Sequence, residues 1–545
     1  GEKATSPHIV FVLVDDQGFN DVGFSSNDVY DFTPRIDALM SEGLLLTSYY
    51  AQHLCTPARG ALMTGKYPIH LGLQHDVIHV DAPWGLPLEH KLLPEYLSEQ
   101  GYATHMLGKW HLGHFNEQFL PHNRGFDSFF GYLADTQDPV SHAYPTSISG
   151  ETMFDLMSAE KHGDYSTLNR EGEYDCTLFT ERATDIIGHH DGAMPLFLYV
   201  AHQNTHSPFP DMPDGTFTAE ETARLDRIHD STRNGFGQSL IMLDHAVHNL
   251  TVALKDAGFW DNTLFIYSSD NGGCHLAGTY NYPLRGQKYY LFEGGMRVHA
   301  FMAGGILPDN MRGANYTALA HISDWLPTVL SVAGVEVETA TTDELDGYNL
   351  WPSMGDSSEA APRTELLYNI DPYVEVQSEH RGTELELEEG RLRSAIRVGD
   401  WKLVLDEYCL SWFSPVTGQV GDERGRDIEP TCNVTTCADP DANAPRGSYL
   451  FNLKNDPYEE TNLIDKYPEV AYVLETRIRE YAEGMTSASW HSTDATAVGT
   501  WMRNGNFIVP WVSEQAYSEQ TAFSTATPSD GDGDEEKKKR KKGAE

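Results

Sequence analysis

Positive charge is scarce in this chain. Its 545 residues carry 38 lysines and arginines against 81 aspartates and glutamates, a formal net charge of −43. A nucleic-acid backbone would be repelled by such a surface, which excludes nucleic acid as a main partner. Any other polyanion would be repelled too, and salt would relieve the repulsion, because the Debye length falls to about 3 Å near 1 M. An acidic surface also keeps a protein soluble in brine. A saline habitat is therefore the working hypothesis; a rate on a polymeric anion that fails to rise with ionic strength would refute it. Long apolar runs are missing, so no membrane span is expected. No internal repeat occurs. The chain opens Gly1-Glu2-Lys3 with neither methionine nor an apolar leader, so a mature or trimmed form is expected. Cysteine is sparse, at six residues. Cys409, Cys432 and Cys437 lie close together and suggest one disulfide and an oxidising compartment. With Cys55 set aside, Cys176 or Cys274 is expected to remain unpaired.

What is present is ordinary for a folded protein: 40% hydrophobic and 22% charged residues, in a chain too long for a single core. His8 to Val14 is a continuous apolar run, as a buried parallel strand requires. Thr33-Pro34 starts a helix that Gly43 stops, and Leu44 to Tyr50 reads as a strand. Pro57 to Thr64 reads as a helix closed by Gly65, and Lys91 to Gln100 as another. Pro195 to Ala201 and Thr263 to Ser268 are further strands, with a helix over Ser239 to Leu254 between them. This alternation predicts an α/β fold with a large, mostly parallel central sheet flanked by helices over residues 1–375. Residues 376–524 predict a smaller C-terminal subdomain, an antiparallel sheet plus helix. Its hairpin joins Ser394–Val398 to Trp401–Leu405, followed by a strand over Tyr449–Leu453 and a helix over Pro468–Glu483. The glutamate-rich stretch Val374–Arg391 reads as a surface loop, and residues 525–545 as a disordered acidic and basic tail. Asn249, Asn315 and Asn433 begin possible N-glycosylation triplets, which favour secretion modestly.

Two acidic pairs follow predicted strands: Asp15-Asp16, and Asp270-Asn271 ahead of Gly272-Gly273. Ligands in open α/β sheets bind beyond the carboxyl ends of strands. Either pair alone reads as a turn; together they offer three carboxylates and an amide oxygen, a donor set for Ca²⁺ or Mg²⁺. Both carboxylates of Asp15-Asp16 can reach one point only if the strand has already ended, because neighbours within a strand face opposite ways. Between the pairs lies Cys55-Thr56-Pro57-Ala58-Arg59-Gly60, a cysteine at the start of a helix, where free N–H groups favour an anion, with Arg59 one turn on to pair with it. A buried small hydrophobe or an ordinary catalytic thiol are the plainer readings of Cys55. Lys109 and His111 stand two apart in Gly108-Lys109-Trp110-His111-Leu112-Gly113, on one face if extended. His206 and Lys288 follow later, each bland by itself. As a set they provide the fixed positive charge and proton donors that a doubly anionic transition state needs.

These segments, together with Glu293-Gly294-Gly295-Met296-Arg297, occur in an order that resembles the type I sulfatases, closest to the arylsulfatase B-like group that includes the N-acetylgalactosamine-4-sulfatases. The resemblance implies an alkaline-phosphatase-like fold and a secreted or, less typically, lysosomal enzyme, monomeric or homodimeric. It implies that Cys55 is oxidised to formylglycine by a formylglycine-generating enzyme. Asp15, Asp16, Asp270 and Asn271 would ligate Ca²⁺, in preference to Mg²⁺, with residue 55 completing the shell. Arg59 would hold the formylglycine, and Lys109 and Lys288 the sulfate oxygens. One hydroxyl of the aldehyde hydrate would attack sulfur, His206 with Lys288 would protonate the leaving oxygen, and His111 would deprotonate the second hydroxyl to expel sulfate. A sulfated carbohydrate or an aryl sulfate is the implied substrate. Ala58 stands where serine is common, and His245, in Asp244-His245, where relatives carry acids. The alternatives are a phosphodiesterase or phosphonate hydrolase of the same superfamily, which histidine-rich zinc ligation would favour, and an inactive sulfated-glycan-binding homologue.

Overall fold

The computed structural model describes residues 6–145, 148–335, 345–356, 358–378, 382–388, 390–415 and 445–525. Its centre is strand β1 (His8–Val14), buried at all seven positions and paired in parallel on both sides, with Leu196–His202 and with Thr263–Ser269. In chain order the other strands are β2 (Leu44–Leu46), β3 (Tyr49–Tyr50), β4 (Ala103–Lys109), β5 (Ser128–Tyr132), β6 (Met157–Glu160), β7 (Tyr165–Thr167), β8 (Leu196–His202), β9 (Thr263–Ser269), β10 (Ala300–Ala303), β11 (Ala314–Tyr316) and β12 (Ala320–His321). The main sheet has ten strands in the order β11-β2-β10-β9-β1-β8-β4-β5-β6-β7. From β9 to β5 the pairing is parallel throughout. The predicted strand Leu44–Tyr50 is in fact two pieces: β2 joins the main sheet, and β3 pairs with β12 in a separate two-stranded sheet.

Alternate side chains of β1 enter two different cores, as the period of two demands. Ile9, Phe11 and Leu13 pack with residues of helices α2 (Cys55–Thr64), α3 (Leu93–Glu99) and α8 (Trp325–Val332). Val10, Val12 and Val14 pack on the other face with α1 (Pro34–Glu42), α4 (Asp175–His189) and α6 (Ser231–Asp256). The two cores explain why β1 is apolar without alternation. Asp244 of α6 is no spare acid: its carboxylate accepts the backbone N–H groups of Arg35 and Ile36, capping α1 from across the layer. His245 beside it pairs with Glu221 at 2.7 Å.

A second, four-stranded sheet runs β13-β16-β17-β18, with β13 at Glu365–Asp371, β16 at Arg393–Val398, β17 at Trp401–Tyr408 and β18 at Arg446–Asn452. It is antiparallel, and the helix Pro468–Glu483 shares its core through Leu474 and Ile478. The expected surface loop over Val374–Arg391 is corrected: β14 (Tyr373–Ser378) and β15 (Gly382–Leu387) form a hairpin of their own. The alternation Thr383-Glu384-Leu385-Glu386-Leu387 carries that strand, although its glutamates suggest a loop. Cys176 is free, whereas Cys274 and Cys409 are disulfide-bonded, which removes Cys274 as a candidate unpaired thiol. Cys432, Cys437, Asn433 and nearly all of the predicted tail lie outside the described residues. Asn249 is exposed within α6, and Asn315 is exposed on the edge strand β11. Among the described residues no helix is long and apolar enough to cross a membrane.

Candidate active site

The carboxyl ends of β1, β4, β8 and β9 meet over the first turn of α2. Asp15 and Asp16 follow β1 directly, and Asp16 takes a positive φ of 56°. That left-handed residue breaks the strand alternation and lets both carboxylates face one point. Asp270 and Asn271 follow β9, and the Asp16 N–H donates to Asp270 Oδ1 at 3.2 Å. Asp15, Asp16, Cys55 and Asp270 are all buried and present ligand atoms within 4.8 Å of one another. Asn271 donates its amide nitrogen to Asp16 Oδ1 at 2.7 Å and to the Gly272 carbonyl at 2.8 Å, while its Oδ1 is buried without a partner. The chain segments expected to converge do converge.

Cys55 is the first residue of α2, so the helix begins two residues earlier than the sequence suggests and Pro57 falls within its first turn, where its missing N–H costs nothing. Gly65 ends it with φ of 70° and returns its N–H to the Ala61 carbonyl. The Cys55 thiol is 2% exposed and donates to Asp15 Oδ1 at 3.4 Å. Burial and then the charge of Asp15 push it above the ordinary thiol value, the opposite of an activated thiolate. Arg59 is tied to an acid and to the end of β4: its guanidinium donates to Asp270 Oδ2 at 2.8 Å and to the Lys109 carbonyl at 3.0 Å.

Lys109 closes β4 and donates to Asp15 Oδ2 at 2.6 Å. It is set there by Gly108, whose φ is 89° and where a Cβ would fall 2.0 Å from the Ala201 carbonyl oxygen of β8. The extended reading of Lys109 and His111 fails, because His111 has φ of 55° and the chain turns between them. The turn still leaves His111 in the site. The Ile78 carbonyl can only accept, so His111 Nε2, 3.0 Å away, carries the hydrogen. Burial, Lys109 and Arg59 hold this imidazole well below its usual pKa, and its Nδ1 is a buried acceptor without a partner. Lys288 donates to Asp16 Oδ2 at 2.9 Å; burial opposes its charge, but Asp16 raises its pKa well above the usual lysine value. His206 follows β8, donates from Nδ1 to the Ser207 carbonyl and turns Nε2 to within 3.6 Å of Asp16 Oδ2. Burial lowers its pKa, against the pull of Asp16.

Burial also raises Asp270, a shift to which the charge of Asp15 adds, while Lys109, His206 and Arg59 outweigh burial at Asp15 and hold it low. Three buried carboxylates and an orphaned amide oxygen fit a hard divalent cation. The cluster contains no histidine, unlike a typical catalytic zinc site. Above it lies a cavity of about 570 Å³ lined by Cys55, His111, His206 and Lys288. The same cavity is lined by His75, Asp76, His79, Asp135, Asp371, Arg391, Arg393 and Arg446, none of which sequence reasoning singled out. The sequence signal for Arg391 and Arg393 is their alternation in Arg391-Leu392-Arg393 at the entry to β16, and Arg446 has none.

Residues 7–335 match the family model described as Sulfatase. The chain is 36% identical over 520 residues to mouse arylsulfatase J, covering 94% of this chain and 82% of that protein. It is 32% identical over 488 residues to bovine arylsulfatase A, covering 86% and 85%. Among solved structures, the crystal structure of Ps i-CgsB superposes with a TM-score of 0.69 at 24% identity, covering 92% of this chain and 98% of that one. That likeness bears on the fold alone, and it matches a mostly parallel sheet with a smaller antiparallel sheet, the alkaline-phosphatase-like arrangement. Extending across nearly the whole length, these matches establish that the chain belongs to the type I sulfatase family and is an enzyme that hydrolyses sulfate esters.

Proposed function

We propose that this sulfatase releases inorganic sulfate from a sulfated carbohydrate, using a formylglycine made from Cys55 and a bound Ca²⁺. One observation carries the reading: Asp15, Asp16, Cys55 and Asp270 gather buried ligand atoms within 4.8 Å of one another, and Asn271, whose Oδ1 is unpartnered, contacts Asp16 through its amide nitrogen. Asp15, Asp16, Asp270 and Asn271 would hold the cation, with residue 55 completing the shell. Four protein oxygens from two strand-end loops suit calcium, since magnesium usually keeps several waters and takes one or two carboxylates. When bound, the cation supplies charge neutralisation for the sulfate oxygens. The hydrated aldehyde at residue 55 would supply one hydroxyl for attack on sulfur and a second whose deprotonation would free the sulfate and restore the aldehyde.

The remaining work falls to the chain's own groups. Arg59 fixes the carboxylates around residue 55 and adds positive charge to the pocket floor. Lys109 and Lys288, held beside Asp15 and Asp16, are the fixed cations for sulfate oxygens. His206, a partly exposed imidazole next to Lys288 in the cavity lining, is the proton donor to the leaving alcohol. His111, neutral and bare at Nδ1, is the base for the second hydroxyl. Secretion is supported by the disulfide-bonded Cys274 and Cys409, which belong to an oxidising compartment.

The test has three readings on one preparation. Mass spectrometry of the peptide containing residue 55 should show the loss of mass for thiol to aldehyde. Sulfate release from sulfated oligosaccharides should vanish in Cys55→Ala. It should also vanish on chelation and return with Ca²⁺ better than with Mg²⁺. Full activity with an unmodified thiol, or activity indifferent to chelators, refutes the reading. Equal turnover of the matching phosphate esters refutes its specificity.

A further inference from the structure

One wall of the cavity over Cys55 takes no part in the chemistry just described. It is made by the second sheet, which brings Arg391 ahead of β16, Arg393 at its first position and Arg446 at the start of β18 into the lining. Two of these cations are occupied. Arg393 forks onto Glu407 at 3.1 and 3.2 Å and donates to the Tyr289 carbonyl at 2.6 Å. Arg446 reaches Asp406 at 3.2 Å and Glu388 at 3.5 Å. Arg391 differs. Its side chain is only 6% exposed, its ion pair is to Glu388 at 3.3 Å, itself 38% exposed, and its Nε is buried without a hydrogen-bond partner.

A buried guanidinium that leaves a donor unmade is costly, and the cost disappears when an anion completes the fork. Arginine suits carboxylate and sulfate equally, since both present two oxygens to its planar donors. The volume of about 570 Å³ is that of a pocket for a drug-sized ligand, far more than one sulfate group fills. The chain's net charge of −43 repels polyanions at long range, so a ligand with several negative charges needs a cation placed for it at short range.

We infer that Arg391 binds a further anionic group of the substrate, a second sulfate or a uronate carboxylate close to the sulfate being cleaved. The preferred substrate is then a glycan with two or more anions near each other, not a monosulfated aryl ester. This rests on the sulfated-carbohydrate reading above and names the class of carbohydrate.

The experiment compares the parent with Arg391→Gln and Arg391→Lys on an aryl sulfate, an oligosaccharide with one sulfate, and the same oligosaccharide with either a second sulfate or a uronate carboxylate. The parent should favour a doubly anionic oligosaccharide in kcat/KM. Arg391→Gln should cut that preference roughly ten- to a hundredfold, chiefly through KM, as expected for losing hydrogen bonds to a charged group. Arg391→Lys should restore part of it, and the oligosaccharide whose advantage collapses identifies the anion. A parent without the preference, or an Arg391→Gln loss shared equally by all substrates, overturns the inference. Calorimetric binding of the same oligosaccharides to Cys55→Ala, with and without Arg391→Gln, reads the contact independently of turnover. If no ester is hydrolysed yet binding depends on Arg391, the sulfatase chemistry is at fault and the anion site stands. If sulfate is released and neither binding nor preference depends on Arg391, the anion site falls.

Discussion

Two buried ionic clusters can be set side by side in this molecule. One is the cluster under the cavity, built on Asp15, Asp16, Asp270, Arg59, Lys109 and Lys288. The other lies between the main domain and the second sheet, where Lys402 of β17 bridges Glu293 at 3.0 Å and Glu459 at 2.7 Å. Tyr50 and Tyr368 donate to the two oxygens of Glu293 at 2.7 and 2.8 Å, and the Glu293 N–H donates to the remaining oxygen of Glu459 at 2.7 Å. Three of the four carboxylate oxygens there accept hydrogen bonds at 3.0 Å or less, and the fourth, Glu459 Oε1, lies 2.7 Å from the Lys402 ammonium without a hydrogen bond of its own. The cluster under the cavity is equally buried but leaves Asn271 Oδ1, Arg59 Nε and His111 Nδ1 unmatched. A nearly complete net of charges marks a stitch between parts of the fold, and several unmet groups around one point mark a place prepared for something that arrives later.

The contrast makes a division of labour that can be broken. The largest effect is expected from His206→Gln, which should reduce sulfate release by roughly a hundred- to ten-thousandfold while the thermal midpoint stays near the parent's. A comparable loss of stability would place His206 among the stitches. Next, Lys402→Met should destabilise by about 3–5 kcal/mol in denaturant unfolding, because it strands two buried glutamates. The rate per folded molecule should hold. If the variant does not fold, Lys402→Met combined with Glu459→Gln should recover part of the stability, and failure of that rescue would count against the pairing. The smallest effect sharpens the comparison at the cavity rim. Burial opposes the charge on His75, but Asp371 and Glu375 carry its pKa from 6.5 to about 9. The folded value lies above the unfolded one, so its stabilisation is complete below 6.5 and fades as pH rises through 9. His75→Gln should flatten the decline in thermal midpoint across that window by a few degrees; an unchanged slope would remove His75 from the account.

Much of the α/β frame was legible in the sequence because it depends on local pattern. A continuous apolar strand followed at once by two acids is readable in His8–Asp16, and Gly65 closes its helix where glycine should. The convergence of Asp15 with Asp270 was readable too, since strand ends in a parallel sheet share one rim. What escaped depends on backbone turns and distant packing. The left-handed Asp16 and His111 belong to residue types that visit this region more often than most, but such residues are far commoner elsewhere, so residue type alone does not mark the turn. The hairpin β14–β15 was hidden because glutamate content outweighed its alternation. Arg391, Arg393 and Arg446 reach the cavity only because the second sheet docks beside it, a relation that no local window contains. The bonding of Cys274 likewise follows from tertiary distance.

The pairing of β1 with β9 carries a consequence for biosynthesis. The N-terminal strand cannot close beside its neighbour until Thr263–Ser269 has left the ribosome, about two hundred residues after Cys55 has emerged. At roughly 5–20 residues per second, that delay is on the order of 10 to 40 s. Cys55 is only 2% exposed once folding is complete, so the conversion of its thiol that the proposed function requires would have to be made within that interval.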